Sequence, residues 1–247
     1  MRRFLVIEPT CALPEWMAKL IGRYLPPAVR WDGELCGVSG RCIAIADRMS
    51  TRGQARMIAL IRQAQAEGNV CAIRGADRQL VEAIERATDK PIVTGELLTM
   101  VVRLEAVLRK IRYDLTRILL CRADTPLGQA VTAYLATKVR FLAITGERDE
   151  ILTGLANRLW RKQGIAVTVG EREADIVLSM DRLCLKMERV TVGEVILPTA
   201  LVEAAYLART QEDSADRLTH QKIEGLIQFI RKYEVHAIRE NAEAQRN

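Results

Sequence analysis

The chain has 247 residues, about half of them apolar, 4% aromatic, and a formal net charge of +6. That is enough for two small domains with aliphatic cores, the composition of buried parallel strands covered by helices. No stretch approaches the length of a membrane span, and the mild, scattered arginine excess with few aromatics argues against nucleic-acid binding.

In chain order, the Met-Arg-Arg start is followed by too short an apolar run for a secretory leader, so a cytoplasmic location without membrane attachment is expected. Residues 3–8 read as a strand and 14–23 as a helix closed by Pro26 and Pro27. Residues 28–41, with Gly33, Gly37 and Gly40, read as loop, and 41–46 as a buried strand. A regular rhythm follows: helix 51–67, strand 69–73, helix 79–87, short strand 91–93, and a long apolar helix over 97–112. The second half repeats it with strand 117–121, helix 127–136, strand 139–145, helix 148–163, and strands 165–169 and 174–179. Helices over 200–209 and 219–233 complete the chain. Strict alternation predicts right-handed crossovers and parallel sheets. The fold class is α/β: two parallel α/β units, the C-terminal one Rossmann-like, with a helical C-terminus. The expected domains are an N-terminal α/β domain over 1–98, a dinucleotide-binding type domain over 99–200, and C-terminal helices over 201–247 packing back on the N-terminal part.

The six cysteines, Cys11, Cys36, Cys42, Cys71, Cys121 and Cys184, have no CxxC spacing. Cys71 and Cys121 fall in strands, where a thiol behaves as a small hydrophobe. Cys36 and Cys42 flank a glycine-containing loop and could approach each other, but no histidine lies nearby to complete a metal site. No metal is expected.

Ligands of parallel α/β sheets bind at the carboxyl ends of strands, where strand order reverses. The turn after strand 117–121 is therefore the first candidate. A dinucleotide loop needs three glycines there: one for the tight turn, one for pyrophosphate approach, and one for helix–strand packing. Residues 121–130 read Cys-Arg-Ala-Asp-Thr-Pro-Leu-Gly-Gln-Ala, and only Gly128, at the third place, is kept. Asp124 puts a negative charge at a helix N-terminus that would otherwise receive phosphate. Thr125 suits the cap and Pro126 the first turn, while Arg122 can offset part of the repulsion. The next strand ends at Thr145-Gly146-Glu147-Arg148. An acid there suits a ribose hydroxyl and an arginine a 2′-phosphate, so the position leaves the cofactor open; Glu147 and Arg148 also suit the start of a solvent-facing helix.

From Val93-Thr94-Gly95-Glu96-Leu97-Leu98-Thr99 onward the chain resembles the long-chain acyl-carrier-protein reductases and their shikimate-dehydrogenase-like NAD(P)-binding relatives. That family carries Thr-Gly-Asn-x-x-Thr, a long helix, then the Rossmann strand and glycine loop. Ile73-Arg74-Gly75-Ala76, Ala174-Asp175-Ile176-Val177-Leu178-Ser179 and Leu218-Thr219-His220-Gln221-Lys222-Ile223-Glu224 are similar to further segments of it. The resemblance covers roughly residues 41–236. It implies a cofactor site at Thr94, Gly95, Thr99, Thr125, Gly128 and Arg148, with Thr94, Gly95 and Thr99 facing a cleft between the halves.

The departures count equally. Glu96 replaces the asparagine of the motif. In Thr199-Ala200-Leu201-Val202-Glu203, Ala200 stands where the reductases carry a nucleophilic cysteine three residues before a glutamate, and alanine cannot form a thioester. Cys184 lies outside that helix, and the Lys–Asp pair of true shikimate dehydrogenases has no counterpart. The sequence thus predicts no catalytic residue and a divergent, non-catalytic reductase-type protein that binds a small ligand, a protein partner or a second copy, with no cofactor or NAD(P). The alternative is an active NAD(P)-dependent oxidoreductase with an atypical loop; a nucleic-acid or acidic-partner role rests on charge alone.

Overall fold

The computed structural model describes residues 3–9, 27–45, 51–76, 78–88, 90–113, 115–185, 187–210 and 219–238. The helix expected over 14–23 lies outside these residues. The chain divides into two units: Met1–Leu98 with Met187–Asp216 and Ala237–Asn247, and Thr99–Lys186 with Arg217–His236.

In the first unit, β1 (Phe4–Pro9) is the central strand, parallel to β3 (Val38–Ile45) on one side and β4 (Val70–Ile73) on the other. β2 (Ala28–Leu35) adds an antiparallel edge, giving the order β2-β3-β1-β4. β1 alternates buried side chains on both faces, as a strand between two helical layers must. On one face Leu5, Ile7, Ile45, Cys71 and Ile73 meet Met57 and Ile61 of α1 (Thr51–Ala66) and Leu80 and Ile84 of α2 (Arg78–Arg86). α7 (Thr199–Thr210) packs on β1, β3 and β4. It is buried continuously from Thr199 to Ala208, as an alanine-rich helix with apolar residues all round should be.

Three local expectations are corrected. Residues 28–41 form a hairpin rather than a loop. Its two-residue turn, Cys36-Gly37, has positive φ at both positions (53° and 80°), the geometry that matches strand twist. Gly40 reads as a loop residue but clears space within β3: a Cβ there would stand 2.2 Å from Cζ of Phe4, whose ring stacks on Trp31. Pro91–Val93 makes only a single parallel bridge, Ala72 to Val93. Residues 189–198, for which no element was expected, form the hairpin β9 (Arg189–Val192) and β10 (Val195–Pro198). The cysteine in the left-handed turn is strained, so Cys36→Asn should raise stability by about 0.5–1 kcal/mol. Chemical denaturation checks this; an unchanged midpoint would mean the turn is not strained.

The second unit holds β5 (Arg117–Cys121), β6 (Phe141–Thr145), β7 (Thr168–Val169) and β8 (Ile176–Ser179), all parallel, in the order β7-β6-β5-β8. Counted from β5 this is 3-2-1-4, the order of the first half of a dinucleotide-binding fold. α4 (Pro126–Ala136) and α5 (Asp149–Gln163) are the two successive crossovers; because both step the same way, right-handedness puts them on one face. α3 (Glu96–Leu108) precedes β5, α6 (Met180–Leu183) follows β8, and α8 (His220–Lys232), followed by β11 (Val235–Ala237), packs on α4.

Candidate functional site

Strand order reverses at β5, whose neighbours are β6, reached through α4, and β8, reached only after β7. The crevice outside the carboxyl ends of these strands opens at Cys121, which registers with Thr145 on one side and Ser179 on the other. The loop into α4 begins at Arg122, a non-glycine residue in left-handed backbone (φ 61°). The Ala123 amide donates to Thr145 O (2.9 Å), tying the loop to β6. Thr125 is the N-cap of α4: its Oγ1 accepts from the Gly128 amide (3.0 Å), and Pro126 starts the helix. One free amide of the first turn is thus met from within the loop. Gly128 keeps the role expected of it, since a Cβ there would lie 2.4 Å from Arg122 O and 2.7 Å from Ala123 Cα.

Asp124 is turned inward and only 3% exposed. Its Oδ2 accepts from Arg148 Nε (3.2 Å), and its carbonyl accepts from Arg148 Nη2 (3.2 Å) and Gln129 Nε2 (3.3 Å). Its Oδ1 is buried without a hydrogen-bond partner among the described residues. Gly146, at the end of β6, makes room for it: a Cβ there would stand 2.2 Å from Oδ1. Arg122 reaches Asp181 at the rim at 3.6 Å.

Of the residues expected to hold a cofactor, Thr125, Gly128 and Arg148 come together around Asp124. Thr94 and Gly95 belong to the first unit, where Gly95 (φ 90°) packs on the start of α7; a Cβ there would be 2.8 Å from the Ala200 amide nitrogen. Thr99 is buried on α3 and belongs to the second unit. Ala200, at the start of α7, is buried. Glu203, three residues on, is also buried, and its Oε2 accepts from the Leu98 amide (2.8 Å), satisfying a free donor in the first turn of α3. Neither this cap nor the Gly146–Asp124 fit was anticipated. The loss of a side chain at Gly146 was the only local signal, and Leu98 and Glu203 are 105 positions apart.

Burial, reinforced by the charge of Glu67 and opposed by Lys90, pushes the Cys71 thiol up to about 12, and burial pushes Cys36 up to about 11 against the charge of Arg209. Cys71 Sγ also donates to Ile61 O. Among the described residues no cluster of histidine, cysteine or carboxylate side chains could hold a metal ion, and no helix is long and apolar enough to cross a membrane.

The chain is therefore a mixed α/β protein with two mostly parallel sheets, the second ordered as in Rossmann domains. No protein-family model and no curated protein matches it. Among solved structures it is similar to L-tryptophan dehydrogenase from Nostoc punctiforme, with 12% identity and a TM-score of 0.34, over 92% of this chain and 81% of that one. It is also similar to the ligand-free 5-ketofructose reductase of Gluconobacter sp. strain CHM43, with 13% identity and a TM-score of 0.35, over 93% of this chain and 99% of that one. Likeness at this level assigns no activity.

Proposed function

We propose that this chain is a divergent Rossmann-fold protein of the NAD(P)-dependent reductase type that works by binding, of a small ligand or a protein partner, rather than by catalysis. The observation that carries the reading is the buried Asp124 carboxylate in the loop where a dinucleotide's pyrophosphate would lie. An anion brought to the N-terminus of α4 would meet that charge, and Thr125 already occupies the Gly128 amide that would greet it. Pulling Arg148 onto a phosphate would strip Asp124 of its ion pair and leave a buried charge uncompensated, a costly exchange. The residues present therefore do not fit a dinucleotide held in the usual way. Ala200 supports the same reading, since it supplies no nucleophile.

The alternative, an active oxidoreductase, draws on the retained Gly128 packing and on Arg148 at the end of β6, the position that suits a 2′-phosphate. Titration with NADH and NADPH, followed by nucleotide fluorescence and thermal shift, separates the two. The expected result is no change with either at millimolar concentration. A ligand at a hundred times its dissociation constant adds about 2.7 kcal/mol of stability, so a clear upward shift would replace the binding reading with the oxidoreductase one.

A further inference from the structure

We infer that the first unit binds an amphipathic monocarboxylate, a compact aryl or alkyl body ending in one carboxylate, in a cavity at the amino ends of its strands. The site is separate from the loop at β5 and goes beyond the reading above.

The cavity follows from how the sheet is covered. α1 packs on β1 and β4, while β3 and the antiparallel edge β2 extend the sheet on the other side of β1. Leu5, Arg41 and Asp32 stand side by side across the strands, because Leu5 of β1 registers with Arg41 of β3 and Arg41 with Asp32 of β2. Between the flank of α1 and this extension lies a cavity of about 510 Å3, the size of a small-molecule site. Ligands of parallel sheets ordinarily lie at the carboxyl ends of strands. This cavity is at the opposite end, lined by the starts of β1 and β3 and by the last turns of α1.

Its lining combines an apolar centre with charged groups. Ile43 and Leu60 pack against the core cluster that contains Leu5 and Ala64, yet both stay partly exposed in the cavity. An apolar body laid there takes this surface out of water. Three of the four charged side chains in the lining already have partners. Arg41 Nε donates to Asp32 Oδ2 (2.8 Å), and Glu67 accepts from Gln63 Nε2 (3.3 Å) and Asn69 Nδ2 (3.0 Å). The fourth, Arg3, is exposed, and among the described residues no ion pair or hydrogen bond engages its guanidinium. One unmatched cation calls for one anionic group, and the parallel donors of a guanidinium match the two oxygens of a carboxylate. Asp32 and Glu67 in the same lining disfavour a more highly charged anion such as a phosphate monoester.

The test is calorimetric titration of the full chain with 4-phenylbutyrate and with its neutral amide, 4-phenylbutyramide. The carboxylate binds, and the amide binds about tenfold more weakly, the loss expected for a hydrogen bond to a charged group. Arg3→Met brings the carboxylate down to the affinity of the amide and leaves the amide unchanged. Leu60→Gln, which makes the apolar wall polar, weakens both compounds severalfold. Absence of carboxylate binding at millimolar concentration overturns the inference, as does equal affinity for the two compounds. Full carboxylate affinity in Arg3→Met places the ligand elsewhere and overturns it too. Should a variant fail to fold, the two compounds on the unaltered chain still decide the matter. The nucleotide titration reads the second unit, so either of its outcomes leaves this comparison standing.

Discussion

Gly128→Ala lowers the stability of the second unit by about 3 kcal/mol, the upper end of the range for forcing atoms into packed space. A Cβ at this position meets backbone: Arg122 O at 2.4 Å and Ala123 Cα at 2.7 Å, with Thr125 Oγ1 at 2.9 Å. Neither backbone atom belongs to a side chain that can rotate aside, so β5 and α4 must separate or the loop must be rebuilt. The gain of up to about 1 kcal/mol from replacing a helical glycine by alanine does not offset this. Gly154→Ala is the control. It lies in α5 with nothing within 4 Å of its Cβ position, so there the helix gain appears alone as a rise in stability. Urea unfolding of both variants checks the pair. A neutral Gly128→Ala would mean that the glycine is not needed for the close β5–α4 approach.

The second large effect comes from the join between α3 and α8. Glu105 is 2% exposed and accepts from Arg231 Nε (2.8 Å) and Nη2 (3.2 Å), and from Arg109 Nε (2.9 Å) one turn along its own helix. Burial alone would raise its carboxyl, but the hydrogen bonds from Arg231 and Arg109 outweigh burial and hold it below the ordinary glutamate range. Arg231→Ala leaves a buried carboxylate with one partner instead of two. Breaking such a pair costs about 3–5 kcal/mol; because Arg109 remains, the low end is expected. The pH dependence has a definite sign. A carboxyl whose folded value is depressed contributes stability above its unfolded value, about 4.3 for glutamate, and loses it as pH falls through the folded value. The gap between the unaltered chain and Arg231→Ala is therefore full at neutral pH and narrows below a pH of about 4. Urea unfolding at neutral pH and in acid measures it. A gap that stays constant into acid would place the effect in packing by the arginine stem rather than in the ion pair.

Much of the second unit was legible in the residues. The short apolar runs within 117–121 and 139–145 read as buried strands, found over 117–121 and 141–145, and Thr125-Pro126 before an apolar stretch marks a helix start through capping chemistry that acts within three residues. The helix 148–163 ends at Gly164, which adopts the left-handed cap its position demands. The first unit was less legible. Its glycines at 33, 37 and 40 suggested loop because a hairpin needs a partner to show itself, and the packing of Phe4 over Gly40 crosses from one strand to another. In the hairpin over 189–198 the alternation on each arm spans only four residues, too short to stand out without its pairing.

The missing glycines were apparent from the sequence alone: with Gly128 at the third place of G-x-G-x-x-G, Ala123 and Thr125 stand at the first two. By itself the sequence determined that the loop would cap its own helix, because a cap is decided by residues in immediate succession. It left open where Asp124 would point. Tertiary structure decided that, bringing Gly146 and Arg148 from the end of β6 against a residue more than twenty positions earlier. Strand pairing sets such distances; spacing along the chain does not. The same reason separates Glu203, whose identity was plain, from its work at the start of α3, which only the packing of α7 creates.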